Sequence, residues 1–466
     1  MIELAPSEIV KSIGALHQGG GDEPGAKRAI IDSREAGSGD LFFGLIGENA
    51  DGGTYAPQVL AAGAWGVVVG DDHFNVAAAA ASEGQHVFSV ADPLAALGAL
   101  ANRWRHELGA KVIGVTGSTG KTSTKDILAA LIGKSGTVVA TPANHNTEIG
   151  MPLTILSASR GTDVLVLEMA MRGAGQIALL TRIAEPDVGC IVNVGPVHLE
   201  QLGTVEAVAQ AKAELWAEMH AGGTAVMPAD EPLLTPHVRS DLTNISFGAG
   251  GNVRLLDDDS ALQDNPDNPA LSISTPQGDV RLTPSFNEEY LLRNLLAAVA
   301  AAQAIGVPVD GDLQVQFSAL RGEVLEVLGG VTLINDCYNA NPVSMRAALD
   351  NLAQAGGRTI AVLGGMGELG KESDRYHHEV AQHASHAGVD LLISVGELGG
   401  AYGDEYVGSI EHVVSPHAAA HVVRQVARPG DTVLVKGSRS VGLEAVAEVL
   451  LNASHPLGSA RSEAGA

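Results

Sequence analysis

The chain has 466 residues, enough for about three domains, and it is 45% hydrophobic with only 3% aromatics, so its cores must be aliphatic and rich in Ala, Val and Leu. Its 54 acidic and 28 basic residues leave a formal charge of −26. That balance argues against a nucleic-acid or anionic-membrane surface, though an acidic chain can still focus positive charge in one cleft. The two cysteines, Cys190 and Cys337, lie in apolar strand-like runs and read as small core residues of a reducing compartment. The opening MIELAPSEIVKSIGA has no signal-peptide apolar region, and no run of about 18 apolar residues escapes a breaker, so a soluble cytoplasmic protein is expected.

Residues 1–90 hold short strand-like runs, DLFFGLI and WGVVVG, between glycine-rich polar turns, as in a small α/β domain. From 91 to 320 strands and helices alternate. The runs KVIGVT, DVLVLEM and DVGCIVNVG are each long enough to be buried on both faces, which is the pattern of a doubly wound parallel sheet. The first run leads into VIGVTGSTGKTSTKD, Val112 to Asp126. Lys111 to Thr116 reads as a buried strand and Thr122 to Leu131 as a helix. The glycines between them let backbone N–H groups point at an anion, and the helix N-terminus adds positive field. Lys121 would reach the outer phosphates of a nucleotide and Thr122 would hold Mg²⁺. Val115 stands where the common pattern has glycine, so this is a variant loop of the form G-x-x-G-K-T.

Ligands of open α/β sheets sit beyond the carboxyl ends of the strands. Glu168 ends the run DVLVLEM there, and a nucleotide-bound Mg²⁺ needs a carboxylate from a neighbouring strand. His198 follows DVGCIVNVG, where a lone loop histidine is more often structural. The segment Val205 to Met219 carries a helical apolar stripe of Val205, Val208, Ala209, Lys212, Trp216 and Met219. Its lysine either snorkels to solvent or is buried with a depressed pKa, neutral and chemically usable. The acidic stretch LLDDDSALQDNPDNP reads as an exposed insertion between strands. Residues 321–466 restart the alternation with VTLIND, RTIAVLGG, DLLISVG and DTVLVKG, each followed by a helix, as in a Rossmann-like unit. The tail NASHPLGSARSEAGA is small and polar and is expected to fray.

The combination of GSTGKTST, NHNTEIGMPLTIL, LEMAMRGAGQI, NVGPVHLEQLGTVEAVAQAKAEL, NDCYNANPVSM and VLVKGSR resembles the Mur ligases over nearly the whole chain, and IDSREAGSGDLFFGLIGENADG fits as well. The resemblance implies three domains: 1–90 for the UDP-sugar substrate, 91–320 for ATP and 321–466, Rossmann-like, for the amine. It implies ATP-dependent amide synthesis, in which a substrate carboxylate becomes an acyl phosphate and an amine displaces phosphate. The motif DCYNANP points, within the family, to UDP-N-acetylmuramoyl-tripeptide as the acid and D-alanyl-D-alanine as the amine. A ligase for another acid and amine is the first alternative. A nucleotide-switched binding protein is the second, but it would not need a lysine on an apolar stripe.

The same resemblance implies roles for individual residues. Gly117, Ser118, Thr119, Gly120, Lys121, Thr122 and Ser123 would cradle phosphate. Thr122 and Glu168 would serve one Mg²⁺. His198 and Lys212, the latter as a carbamate made with CO₂, would serve a second. Asn294 would contact adenine, and Arg321 with Asp336 the rest of ATP. Asp32, Ser33 and Arg34 would hold the UDP-sugar end, and Asn144, Asn146 and Thr147 the muramoyl part. Tyr338, Asn339, Asn341, His378, Lys436 and Arg439 would shape the D-alanyl-D-alanine side, although Tyr338 and Asn339 also read as turn residues ahead of a helix. A monomer with no nucleic-acid partner and no membrane insertion is expected. The chain departs from the family at Tyr290 and Leu291 (usually His-Asn), at Gly364-Gly365-Met366 (often Gly-Asp-Met), at Pro228 (often Asn) and at Gly53-Thr54 (usually His-Asp).

Overall fold

The computed structural model describes residues 2–256 and 270–454. The acidic stretch from Asp257 onward and the polar tail beyond Ser454 lie outside them. The chain forms two compact units. One comprises the residues up to Asn193 together with Ala209–Gln316, and the other comprises Val194–Val208 with the residues from Phe317 onward.

The first unit contains three sheets. The N-terminal sheet runs Leu16–Gln18, His86–Val90, Gly66–Gly70, Asp40–Phe43, Arg28–Ile30, with only Leu16–Gln18 antiparallel. DLFFGLI and WGVVVG supply its Asp40–Phe43 and Gly66–Gly70 strands. Its core is Phe42, Val67, Val69 and Val87 under Val59, Leu60 and Ala77. The second sheet is six-stranded and wholly parallel, in the order Thr243–Phe247, Thr224–Pro228, Val188–Ile191, Lys111–Thr116, Val164–Glu168, Val138–Ala140. The three apolar runs read from the sequence are its three middle strands. From Lys111–Thr116 the chain first builds one side of this sheet and then the other, which makes the carboxyl end of that strand the point where the winding reverses. A small third sheet, Arg254–Leu255, Leu271–Ser274, Val280–Pro284 and Gly311–Leu313, was not expected. Its strands alternate or run short, so they carry no continuous apolar signal.

The second unit has one six-stranded sheet in the order Glu323–Val327, Val331–Asn335, Thr432–Lys436, Thr359–Gly364, Leu391–Val395, Ser409–Val413. All neighbours are parallel except the first pair. The four apolar runs again form the buried strands, around Leu333, Val362, Ile393 and Val435. The two edge strands escaped the sequence. Glu323–Val327 folds back through a left-handed turn at Leu328, Gly329 and Gly330, and Ser409–Val413 is exposed for most of its length. Both cysteines are buried and free, and burial raises their thiol pKa values to about 12 at Cys190 and about 11 at Cys337. Among the described residues no helix is long and apolar enough to cross a membrane.

The second unit also contains a buried histidine, His377, on the helix Ser373–His386. The Met366 N–H donates to its Nε2 at 2.9 Å, and its Nδ1 lies 2.7 Å from the Ser373 carbonyl oxygen. This pattern requires a neutral ring with its proton on Nδ1. Burial pushes the pKa of His377 down, against a smaller upward pull from Ser373. Burial does the same at His17 and His86, which share a 3.0 Å hydrogen bond in the first unit. A histidine with a depressed folded pKa takes up its proton first in the unfolded chain, whose value is about 6.5, so stability falls as pH drops below that value. The thermal midpoint is therefore expected to decline between pH 7 and pH 5, and to decline less over that interval in His377→Gln. A scanning-fluorimetry series with equal slopes for the two proteins would contradict this.

Candidate active site

The strand Lys111–Thr116 has its last five residues buried, and four residues separate it from the helix Lys121–Gly133. Gly120 caps that helix in the left-handed region at φ +75°, and a Cβ there would lie 2.5 Å from Asn294 Oδ1. Glycine is thus required twice, by the backbone and by the neighbour. The Lys121 ammonium donates to the Gly117 carbonyl at 2.6 Å. Asn294, on the helix Glu289–Ala304, is only 4% exposed and lays its amide against the loop.

Parallel pairing sets the ends of Val164–Glu168 and Val188–Ile191 on either side of this loop. Glu168 is 1% exposed. Its Oε2 accepts from the Thr122 hydroxyl at 2.8 Å and its Oε1 from the Asn146 amide at 2.8 Å, while its own N–H donates to Thr141 Oγ1 at 2.9 Å. A buried carboxylate survives only when its lone pairs are satisfied, and here neutral donors do it. On the other side, Asn193 Oδ1 accepts from the N–H groups of Ser118 and Thr119. Asn193 was missed by the sequence reading. The available signal was its place just past the run DVGCIV, at a strand's carboxyl end.

Lys212 sits in the helix Val205–Glu218 and is about 2% exposed, so it does not snorkel. No hydrogen bond or ion pair reaches its ammonium from the described residues. Burial, and then the positive charge of Lys121, push its pKa well below the usual lysine range. The hydroxyl and carboxylate of Thr122 and Glu168 are hard oxygen donors and fit Mg²⁺ whose other ligands come from phosphate and water. No group of three His, Cys, Asp or Glu suited to a metal occurs among the described residues.

His198 belongs to the second unit. It adopts the left-handed conformation at φ 54°, heads the short helix Leu199–Leu202 and pairs through Nδ1 with Glu368, itself at φ 62°. Glu368 was given no role by the sequence. In the same unit Lys436, 2% exposed, donates to Asp336 Oδ2 at 2.6 Å and to the Asn339 carbonyl at 3.2 Å. The Tyr338 ring carries Arg321 at 4.1 Å and Arg439 at 5.9 Å. Six expected residues, Arg321, Asp336, Tyr338, Asn339, Lys436 and Arg439, are thus brought together. Asn341 is committed elsewhere: its Oδ1 caps the helix Pro342–Ala353 by accepting the Ser344 N–H at 3.0 Å. His378 pairs with Asp404 at 3.2 Å rather than with this cluster.

In the N-terminal sheet, Asp32, Ser33 and Arg34 follow the strand Arg28–Ile30. Asp32 caps the turn Ser33–Glu35 and its pKa is pulled down to about 2 by hydrogen bonds from Arg34. Asn144 and Thr147 are exposed ahead of the helix Gly150–Ser157.

A glycine loop at a helix N-terminus, backed by a buried strand-end carboxylate, is the architecture of a P-loop nucleotide enzyme. Two family models match: the Mur ligase middle domain over residues 115–302 and the Mur ligase glutamate ligase domain over 320–439. The chain belongs to the Mur ligase family. The UDP-N-acetylmuramoyl-tripeptide–D-alanyl-D-alanine ligase of Mycobacterium tuberculosis is 35% identical, over 99% of this chain and 100% of that protein. The crystal structure of MurF from Acinetobacter baumannii superposes with a TM-score of 0.85 at 27% identity, covering 96% of this chain and 99% of that one. MurF from Thermotoga maritima in complex with ADP gives 0.79 at 30% identity, covering 92% and 98%.

The buried amine of Lys212 has a measurable consequence. Its folded pKa is depressed while the unfolded chain holds the proton up to about 10.4, so below that value the lysine opposes folding, and stability rises with pH across the interval. In CO₂-depleted, metal-free buffer at pH 7, Lys212→Met is expected to raise the thermal midpoint. Shortening a well-packed apolar side chain to Ala would instead cost about 2–5 kcal/mol. A lower midpoint for Lys212→Met would show that the amine is held by favourable contacts.

Proposed function

We infer that the chain is an ATP-dependent, ADP-forming ligase that adds D-alanyl-D-alanine to UDP-N-acetylmuramoyl-tripeptide in the cytoplasmic stage of peptidoglycan precursor synthesis. The observation that carries this reading is the match to the mycobacterial enzyme of that name, 35% identical over 99% of this chain and 100% of that protein. It acts as a monomer. Residues 1–90 take the UDP-sugar through Asp32, Ser33 and Arg34. Residues 91–320 take ATP, and residues 321–466 take the amine.

Phosphoryl transfer asks for position and charge neutralisation more than covalent help. The loop Gly117 to Ser123 orients the terminal phosphate, and Lys121 neutralises charge as it develops. Thr122 and Glu168 would hold Mg²⁺, which would screen the polyanion so that the substrate carboxylate can approach. Asn146 fixes Glu168, and with Asn144 and Thr147 lies on the muramoyl side. Asn294 contacts adenine, and Arg321 and Asp336 complete the nucleotide site. The acyl phosphate so formed is attacked by the amine of D-alanyl-D-alanine, whose carboxylate suits the cations Arg439 and Lys436 beside Tyr338 and Asn339.

Lys212, as a carbamate, and His198 would hold a second Mg²⁺. Its neutral amine adds CO₂ and releases a proton, which turns a nitrogen that repels metal into an oxygen anion that binds it. Support comes from its burial without a hydrogen-bond partner among the described residues and its match to the family's modified lysine.

Lys121→Ala is expected to stay folded and lose ligation by about 10²–10³ or more; near-normal turnover would remove the loop from the reaction. Lys212→Arg should be inactive because arginine stays cationic and cannot carry CO₂. Lys212→Ala should recover part of its activity in formate or acetate, and no recovery at any concentration would count against the carbamate. In the wild type, ADP release should need UDP-N-acetylmuramoyl-tripeptide and rise when D-alanyl-D-alanine is added. Equal ADP release without either substrate would mark a nucleotide switch instead.

A further inference from the structure

We propose that Asn193 is a positioning residue for the nucleotide, one that sets the shape of the phosphate loop from the neighbouring strand; this rests on the loop being the ATP site. Asn193 stands two residues past the strand Val188–Ile191. Its Oδ1 accepts the Ser118 N–H at 3.0 Å and the Thr119 N–H at 2.9 Å. Its backbone carbonyl also accepts from Ser118, at 3.2 Å. Its Nδ2 donates to the Thr119 hydroxyl at 3.3 Å. One side chain therefore grips two consecutive loop residues with both of its functions.

Only a primary amide can do this without charge, because it offers an acceptor with two lone pairs and a donor on one short planar group. The loop has little slack against the strand. A Cβ at Gly117 would already lie 3.1 Å from Val192 Cβ. With the Ser118 and Thr119 N–H groups turned onto Asn193, the groups left to face an anion are those of the first helical turn, where the helix field is strongest. Asn193 thus selects which backbone donors meet phosphate. Aspartate would keep the acceptor but place a negative charge beside the phosphates and lose the donor to Thr119.

The test is ADP binding by calorimetry with Mg²⁺, steady-state kinetics, and the ligand-free thermal midpoint, for the wild type, Asn193→Ala, Asn193→Asp and Lys121→Ala. Asn193→Ala is expected to weaken ADP and raise KM for ATP by about tenfold, the effect of three lost side-chain hydrogen bonds partly replaced by water. Its KM for D-alanyl-D-alanine should not change, and its midpoint should stay within about 2 °C. Asn193→Asp should keep the midpoint and bind ADP more weakly still. Wild-type ADP affinity in Asn193→Ala, with Lys121→Ala impaired, overturns the proposal. So does a lowered midpoint with both KM values raised alike, since that is the signature of a purely structural residue. Wild-type ADP affinity in Lys121→Ala removes the loop as the nucleotide site and the proposal with it.

Discussion

The first unit is organised around one buried carboxylate. Glu168 is dry, and both of its oxygens are occupied, by Thr122 from the loop and by Asn146 from the next connection. Neither donor could reach it if the strands were wound in another order. The strand Lys111–Thr116 must lie directly beside Val164–Glu168 for Thr122 to meet Glu168, and directly beside Val188–Ile191 for Asn193 to meet Ser118 and Thr119. The reversal of winding at the central strand satisfies both conditions, and it leaves a gap between connections that depart in opposite directions. A continuous apolar strand on each side then supplies the rigidity, since the interior positions of all three strands are buried.

The second unit follows the same geometric rule with different chemistry. Thr432–Lys436 lies between Val331–Asn335 and Thr359–Gly364, so Lys436 emerges beside Asp336. A buried ion pair of this kind contributes little net stability, because desolvation offsets much of its attraction. What it does is fix the direction of two side chains at a strand end. Arg321 and Arg439 both approach the Tyr338 ring, and Arg439 also pairs with Glu444 at 3.5 Å.

Much of this was legible in the sequence, for a physical reason. Strands buried on both faces must be continuous apolar runs, so KVIGVT, DVLVLEM and DVGCIVNVG could be found without knowing their neighbours. The loop was legible because glycine and lysine there answer to local needs. What could not be read were features whose cause is a partner elsewhere in the chain. Asn193 looks like any turn asparagine until the loop is seen to hydrogen-bond to it. Glu368 became visible only through its pairing with His198. The edge strands Glu323–Val327 and Ser409–Val413 face solvent and carry no continuous apolar run. Asn341 likewise shows its role as a helix cap only in the structure, where its Oδ1 accepts the Ser344 N–H.

Lys121 and Lys212 illustrate how one residue type serves two purposes in one unit. Lys121 is half-buried at the head of a helix and shares its charge with the Gly117 carbonyl, so it is poised for anions. Lys212 is shut away on an apolar stripe, with no hydrogen-bond or ion-pair partner among the described residues and with Lys121's charge acting on it, so its protonated form is disfavoured. Each influence acts in the same direction: the cation that suits phosphate is also what helps to keep the second lysine neutral. A fold selected for stability alone would have placed methionine or leucine at 212, since a buried amine weakens the folded state. Local rules are broken where function requires it, and on the carbamate reading the break has a definite use. Only an uncharged amine can take up CO₂, and only a site already adapted to neutral nitrogen would keep it available.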